Sequence, residues 1–244
     1  MQDKIKLIDS MKVIINKPFD ELSIRFLEDL SGEIKKINKI YTYPDLVYLM
    51  MWCAKKNLLK LKKKYKSNSF KIGRGLVFHV CPNNVPVNFI YSFIIGLLSG
   101  NSNIVKLPSK NFKERNILLK SINKLFNLKR YQDFKKSNLF INYDHEQENY
   151  LTEHISSKSD ARIIWGGDKT IETLKKIITP ARCIDVCFAD RYSVSIINGK
   201  KFNLLKQSSL DLLARKYFYD VYSMDQLACN SPHFLFWIGK ISEK

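Results

Sequence analysis

The chain has 244 residues, 45% hydrophobic and 12% aromatic, which is too much apolar surface for a disordered polymer and enough for one large α/β domain with a helical preface. The formal net charge of +18 comes mainly from lysine. Only eight of the 41 basic residues are arginine, the residue of bidentate phosphate and base recognition, so a nucleic-acid binder is disfavoured. Five cysteines without framework spacing argue against a disulfide scaffold, and with the four histidines they show no metal-ligand spacing.

The opening stretch, MQDKIKLIDSMKVIINKPFDE, interleaves charge with its apolar residues, unlike a secretory leader. The longest apolar run, 85–98, is 14 residues, too short to span a bilayer, so no membrane span and a reducing cytoplasm are expected. Apolar residues at three- and four-residue spacing predict helices over 19–30 and 43–61, with Trp52 and Cys53 on a packing face. The lysine run at 55–66, KKNLLKLKKKYK, reads as a solvated helix end or linker. A phosphate-facing patch is the other reading. SNS at 67–69 is the connector.

From 71 onward strands and helices alternate. GLVFHV (75–80), NIVKL (103–107), LFINY (139–143), ARIIW (161–165), CIDVCF (183–188) and YSVSII (192–197) read as strands. Helices are predicted over 86–98, 113–126, around 147–155, 168–178 and 204–219. Strands separated by helical crossovers define an α/β fold with a parallel, doubly wound sheet, whose ligands sit beyond the carboxyl ends of the strands.

Four segments at such ends could carry chemistry. HVCPNNVPVNF (79–89) closes a strand with two carboxamides between prolines, suited to an oxyanion hole or to capping the next helix. GNSNIVKLPSK (100–110) clusters Lys106, Ser109 and Lys110 around Pro108, where a ribose or phosphate could be gripped. In IIWGGDKTI (163–171), Gly166 and Gly167 let backbone N–H groups approach a diphosphate, while Asp168 is suited to an N-cap but would repel one. In MDQLACNSPHFLFW (224–237), Cys229 lies in a polar loop, whereas Cys53, Cys81, Cys183 and Cys187 lie within or beside apolar segments and suit packing.

In their order along the chain these segments resemble the acyl-CoA reductase (LuxC) family, a branch of the aldehyde dehydrogenase superfamily, over roughly residues 70–240. HVCPNNVPVNF looks like the superfamily's proline–aromatic–asparagine segment, and GNSNIVKLPSK like its lysine–proline–serine segment with Leu107 inserted. WGGDKTI and FADRYS are similar to phrases of the family, and DQLACNSP to its catalytic loop. The resemblance implies an N-terminal helical segment (1–70), a nucleotide-binding α/β domain of aldehyde dehydrogenase type (71–222) and the start of a truncated catalytic domain (223–244).

It also implies a reaction: reduction of a fatty acyl thioester to a fatty aldehyde through an acyl-enzyme on Cys229. Asn84 and the Cys229 N–H would form the oxyanion hole, and Lys106, Ser109, Lys110, Gly166 and Gly167 would hold the dinucleotide. The strand region CFADRYSVSII lacks the glutamate with which hydrolytic relatives activate water, which fits reduction. Lys110 stands where NAD-dependent relatives often carry a glutamate, which favours NADPH. His233 is a tempting base, but an incidental residue leading into a strand is the favoured reading. An acyl-transferring enzyme or a separately encoded catalytic half are the partners to expect, with oligomerisation and a place in luminescence open. The alternative is a truncated, non-catalytic nucleotide-binding remnant or scaffold.

Overall fold

The computed structural model describes residues 2–144, 146–222, 226 and 228–240. Contacts divide the chain into two compact units, Met1–Ala189 and Asp190–Lys244.

In the first unit, helices α1 (Gln2–Asp9), α2 (Glu21–Lys35), α3 (Pro44–Trp52) and α4 (Lys55–Lys64) precede the sheet. Helix α1 was not foreseen. Ile8 joins the core that holds Leu151 and Ile155, Ile5 packs against it, and partly exposed polar ties run from Lys4 to Glu148 and from Asp9 to His154 and Lys158. Asp20 caps α2 by accepting from the Ser23 N–H at 3.0 Å, and Pro44 opens α3 where its missing donor costs nothing. The helix expected over 43–61 is two helices. Ala54 is extended, and Asn57 Nδ2 donates to the Met51 carbonyl at 2.7 Å, satisfying the end of α3.

Strands β1 (Leu76–Val80), β2 (Ser102–Lys106), β3 (Asn138–Ile141), β4 (Ala161–Trp165) and β5 (Ile184–Phe188) form one parallel sheet in the order β3-β2-β1-β4-β5. Their crossovers contain α5 (Asn88–Leu98), α6 (Lys113–Phe126), α7 (Gln132–Ser137), α8 (Asn149–Ser156) and α9 (Asp168–Lys175). The expected α/β class and parallel sheet are present. Side chains alternate across the pleat. Leu76, Phe78, Val80, Ile104 and Ile164 join the core that holds Leu151, Ile155 and Leu174 of α8 and α9, while Val105 joins the core of α2, α5 and α6. At the far edge Arg162, 2% exposed, pairs with Asp185 through two hydrogen bonds of 2.7 and 2.6 Å between facing residues of β4 and β5. Ile184, Val186 and Phe188 of β5 remain exposed beside an open apolar hollow of about 270 Å³.

A buried polar chain crosses the sheet. Asn138 Nδ2 donates to the Phe134 carbonyl (2.9 Å), Asn103 Nδ2 to Asn138 Oδ1 (2.7 Å), and His79 Nε2 to Asn103 Oδ1 (2.9 Å). The other ring nitrogen, His79 Nδ1, accepts from Ser92 Oγ at 2.8 Å, and that oxygen accepts from Trp165 Nε1 at 3.1 Å. Because the chain begins on a carbonyl, which only accepts, each donor direction fixes the next and puts a proton on His79 Nε2; burial disfavours a second proton, so Nδ1 is the acceptor. A Cβ on Gly96 would collide with Asn103 Oδ1 and approach the His79 ring to 2.9 Å.

The second unit contains β6 (Ser193–Asn198), α10 (Gly199–Phe202), α11 (Gln207–Tyr222) and β7 (Pro232–Ile238). The strand expected at 192–197 does not extend the main sheet. It pairs in parallel with β7 in a separate two-stranded sheet, so β6 and α11 fall with the segment around Cys229 rather than in a unit ending at 222. Among the described residues no helix is long and apolar enough to cross a membrane.

Two consequences can be measured. Burial pushes His79 from 6.5 down to about 4, with the Asn103 hydrogen bond acting weakly the other way. The unfolded chain therefore binds the proton first, and stability falls with pH from about 6.5 to about 4, by about 3 kcal/mol from this group alone. Urea midpoints across that range should drop less steeply in His79→Gln than in the parent. Gly96→Ala should lower the melting temperature, because overpacking of about 1–3 kcal/mol exceeds the ~1 kcal/mol helix gain of alanine.

Candidate functional site

Parallel pairing sets Val80 beside Lys106 and Ile164, so the loops after β1, β2 and β4 leave the sheet at one carboxyl edge. The expected positions Asn84, Lys106, Ser109, Lys110, Gly166 and Gly167 all belong to these strand ends and loops. The strand order reverses between β1 and β4, where a crevice opens in doubly wound sheets.

The loop after β1 exposes both Asn83 and Asn84. It is Asn83 that binds the neighbouring loop, its Oδ1 accepting from the Ser109 N–H at 2.8 Å. Arg115, in the first turn of α6, holds the same loop from behind. Its Nη1 donates to the carbonyls of Pro108 (2.6 Å) and Lys110 (3.1 Å), and its Nη2 to Asn111 Oδ1 (2.9 Å). Neither role was foreseen. The scarcity of arginine in a lysine-rich chain was the available signal, since a rigid guanidinium holds several acceptors in fixed directions, whereas a lysine ammonium sits on a freely rotating stem.

Lys106 ends β2 half-buried, with its Nζ 5.1 Å from the centre of the Tyr143 ring. Burial holds its ammonium below the usual lysine range, against the opposing influence of Cys81 and Asp144. Among the described residues no carboxylate lies within ion-pair distance of it. Leu107 is 6% exposed, and its N–H donates to the Ile141 carbonyl at 2.9 Å, so the inserted residue extends the β2–β3 pairing. Ser109 and Lys110 are exposed, Lys110 lying over the Phe112 ring.

After β4 the glycines do different work. A Cβ on Gly166 would meet Thr170 at 3.1 Å, so its bareness serves close packing of the turn on α9. Gly167 is the N-cap of α9, and Asp168, suited by sequence to the cap, is the first helical residue. The N–H groups of this first turn lie at the carboxyl edge, where the helix dipole favours anions.

Cys229 belongs to the second unit and is exposed, in a turn ahead of β7. Its carbonyl accepts from Ser193 Oγ at 2.6 Å. Asp225 and Leu227 of the motif read as the catalytic loop, with Met224 before it, lie outside the described residues. His233 is exposed on β7 and packs edge-on to Tyr192. Cys53 and Cys81 are buried, and burial pushes both thiols up, Cys53 to about 12. Cys183 and Cys187 are half-buried, and desolvation also raises Cys183. Among the described residues no group of three or more metal-ligating side chains gathers.

A parallel sheet of this order, followed by a cysteine turn leading into a strand of a second sheet, defines the class: the fold is that of the aldehyde dehydrogenases. The chain is similar to proline utilization A (PutA) of Corynebacterium freiburgense, with a TM-score of 0.67 at 14% identity, covering 98% of this chain and 24% of that one. It is also similar to a 1-pyrroline-5-carboxylate dehydrogenase from Thermus with bound NAD (TM-score 0.59, 13% identity, 88% and 45%). Lactaldehyde dehydrogenase from Escherichia coli is a further structural relative (TM-score 0.57, 13% identity, 88% and 47%).

Within this fold the chain belongs to the acyl-CoA reductase (LuxC) family, whose model matches residues 23–243. It is 26% identical over 167 residues to a long-chain acyl-protein thioester reductase of Aliivibrio fischeri, a match covering 68% of this chain and 32% of that protein. The chain therefore spans about a third of that curated relative and at most about half of these solved structures.

The bracing of the Pro108–Ser109 loop is directly measurable. In Asn83→Ala the Ser109 amide loses its acceptor, worth about 1 kcal/mol, and its hydrogen exchange should quicken about fivefold while amides of β1 keep their rates.

Proposed function

We propose that this chain carries the dinucleotide-binding half and the nucleophile of a reductase that converts a fatty acyl thioester to a fatty aldehyde, with NADPH as reductant. The carrying observation is Lys106, a half-buried cation at the carboxyl edge beside the braced Ser109–Lys110 loop. A partly desolvated ammonium with no carboxylate in direct ion-pair contact, and with Asp144 acting on it only from further off, suits a phosphate-bearing ligand. The residues present fit a dinucleotide: the N–H groups of the first turn of α9 favour its diphosphate, against the opposing charge of Asp168, and Lys106 and Lys110 favour a 2′-phosphate over a bare hydroxyl.

In this reading the Cys229 Sγ, once deprotonated, attacks the thioester carbonyl. The bond to the departing thiol breaks, that thiol takes up a proton, and a new thioester to Sγ remains. The tetrahedral oxyanion calls for hydrogen-bond donors, the role the family resemblance gives to the Asn84 carboxamide. The bound dinucleotide supplies the hydride that reduces the acyl carbon. The resulting thiohemiacetal on Sγ then loses its hydroxyl proton, expels the Cys229 thiolate and leaves the aldehyde. The absence of a glutamate from the β5–β6 region, CFADRYSVSII, supports reduction over hydrolysis of the acyl-enzyme.

One observation favours the non-catalytic reading for the chain on its own. The second unit leaves Val194, Ile196, Phe234, Leu235, Phe236 and Ile238 exposed, and a two-stranded sheet rarely supports itself. We infer that Cys229 works when further protein, such as a separately encoded catalytic half, covers these faces.

Fluorescence titration should give tighter binding of NADPH than of NADH, with a gap that narrows as salt rises. Lys110→Glu should reverse the preference, at a cost to NADPH of about tenfold or more. A long-chain acyl thioester should label Cys229, with the label discharged as aldehyde by NADPH, and Cys229→Ser should abolish both. Equal affinities for the two dinucleotides would remove the 2′-phosphate assignment. Turnover by Cys229→Ser, with the complementary protein supplied, would remove the nucleophile.

A further inference from the structure

Helix α4 and the segment following it to Arg74 carry eight lysines and one arginine in 20 residues, without one aspartate or glutamate. These nine cations equal half of the net charge of +18. The helix is held from one side, with Leu58 fully buried and Leu61 half-buried. Lys55, Lys56, Lys60, Lys62, Lys63 and Lys64 are consequently all exposed, as are Lys66 and Lys71 beyond the helix. Lys55 faces Glu28 at 3.5 Å, and among the described residues no other lysine of the segment has a carboxylate partner. Arg74 is engaged by the carbonyls of Asp160 and Arg182.

Apolar side chains stand among these charges. Tyr65 is 61% exposed, Phe70 77% and Ile72 56%, and Lys17 adds a further cation 5.7 Å from the centre of the Phe70 ring. So many like charges within one or two Debye lengths repel one another, and the fold does not neutralise them. Lysines whose stems can lie along a bilayer, interleaved with exposed aromatic rings, combine the two forces that hold a protein on a charged lipid surface. A nucleic acid would suit the charge, but the segment is a helix exposing a ridge of flexible ammonium groups. Its sole arginine is already committed to carbonyls.

We propose that this face docks peripherally on an anionic phospholipid surface. The inference stands independently of the reductase reading, since it uses none of the residues at the carboxyl edge or around Cys229.

The test is co-sedimentation of the full chain with phosphatidylcholine vesicles, with and without phosphatidylglycerol. Binding should require phosphatidylglycerol and weaken with salt. A triple variant, Lys60→Glu, Lys63→Glu and Lys64→Glu, should lose about tenfold or more in affinity. The same charge change made elsewhere, Lys120→Glu, Lys175→Glu and Lys216→Glu, should leave most of the binding intact. Tyr65→Ser with Phe70→Ser should weaken binding without changing its salt dependence. Melting temperatures check that the variants fold, and the milder Lys60→Gln, Lys63→Gln and Lys64→Gln set replaces the first if it does not. Three results would overturn the proposal: no preference for phosphatidylglycerol, equal losses in the two triple variants, or binding of single-stranded RNA at a salt concentration that abolishes vesicle binding.

Discussion

The neutral imidazole of His79 is the constraint on which the first unit depends. It sits with no exposed surface in β1, between Asn103 of β2 and Ser92 of α5. Through those partners it connects α7 and β3 on one side with Trp165 of β4 on the other. An apolar residue there would leave the Asn103 carboxamide and the Ser92 hydroxyl short of partners in a dry core, at about 1–3 kcal/mol for each unmet group. The relay also limits how α5 can lie. Gly96 lets the helix approach closely enough for Ser92 to reach the ring, and the helix begins where the Asn83–Asn84 loop ends.

The carboxyl edge inherits its order from that packing, and two loops are then fixed locally. Asn83 and Arg115 act on main-chain groups of the Pro108–Lys110 stretch, leaving the Ser109 and Lys110 side chains exposed. Backbone bracing of this kind confines a loop while its side chains stay available, as a ligand-binding loop requires. The braces come from a carboxamide and a guanidinium, groups that offer directed hydrogen bonds, whereas the chain's abundant ammonium groups are left for solvent or ligands.

Much of this fold was legible in the sequence, and the failures have physical causes. The strand 161–165 and the helix 113–126 were read with the bounds they have, because their periodicities run into abrupt polar ends. Helix α1 escaped because it is short, fully buries only Ile8, and its partners lie some 140 positions away, as Glu148 does from Lys4. The break at Cys53–Ala54 escaped because apolar spacing continues across it, while the termination comes from the Asn57 side chain. The pairing of β6 could not be read at all: alternation says that a segment is a strand and nothing about which strand it joins. At the site, residue types at strand ends pointed to Asn84, Lys106 and Lys110, but the bracing by Asn83 and Arg115 depends on loops brought together only by folding.

Lysine in this chain does two kinds of work, which explains why total charge is a poor guide to function. The exposed lysines of α4 interact with their surroundings through water, and salt screens them beyond about 8–10 Å. Lys106 is one charge, but burial removes part of its hydration, the Tyr143 ring faces it, and Asp144 acts on it without a direct ion pair. A ligand phosphate meeting Lys106 has less water to displace and is less screened, so a single positioned ammonium can discriminate where a dense solvated run only attracts. The two settings predict two salt responses within one molecule. Attraction to the α4 surface is a collective effect that fades as ionic strength rises, whereas the contribution of Lys106, partly shielded from solvent, should persist further into that range.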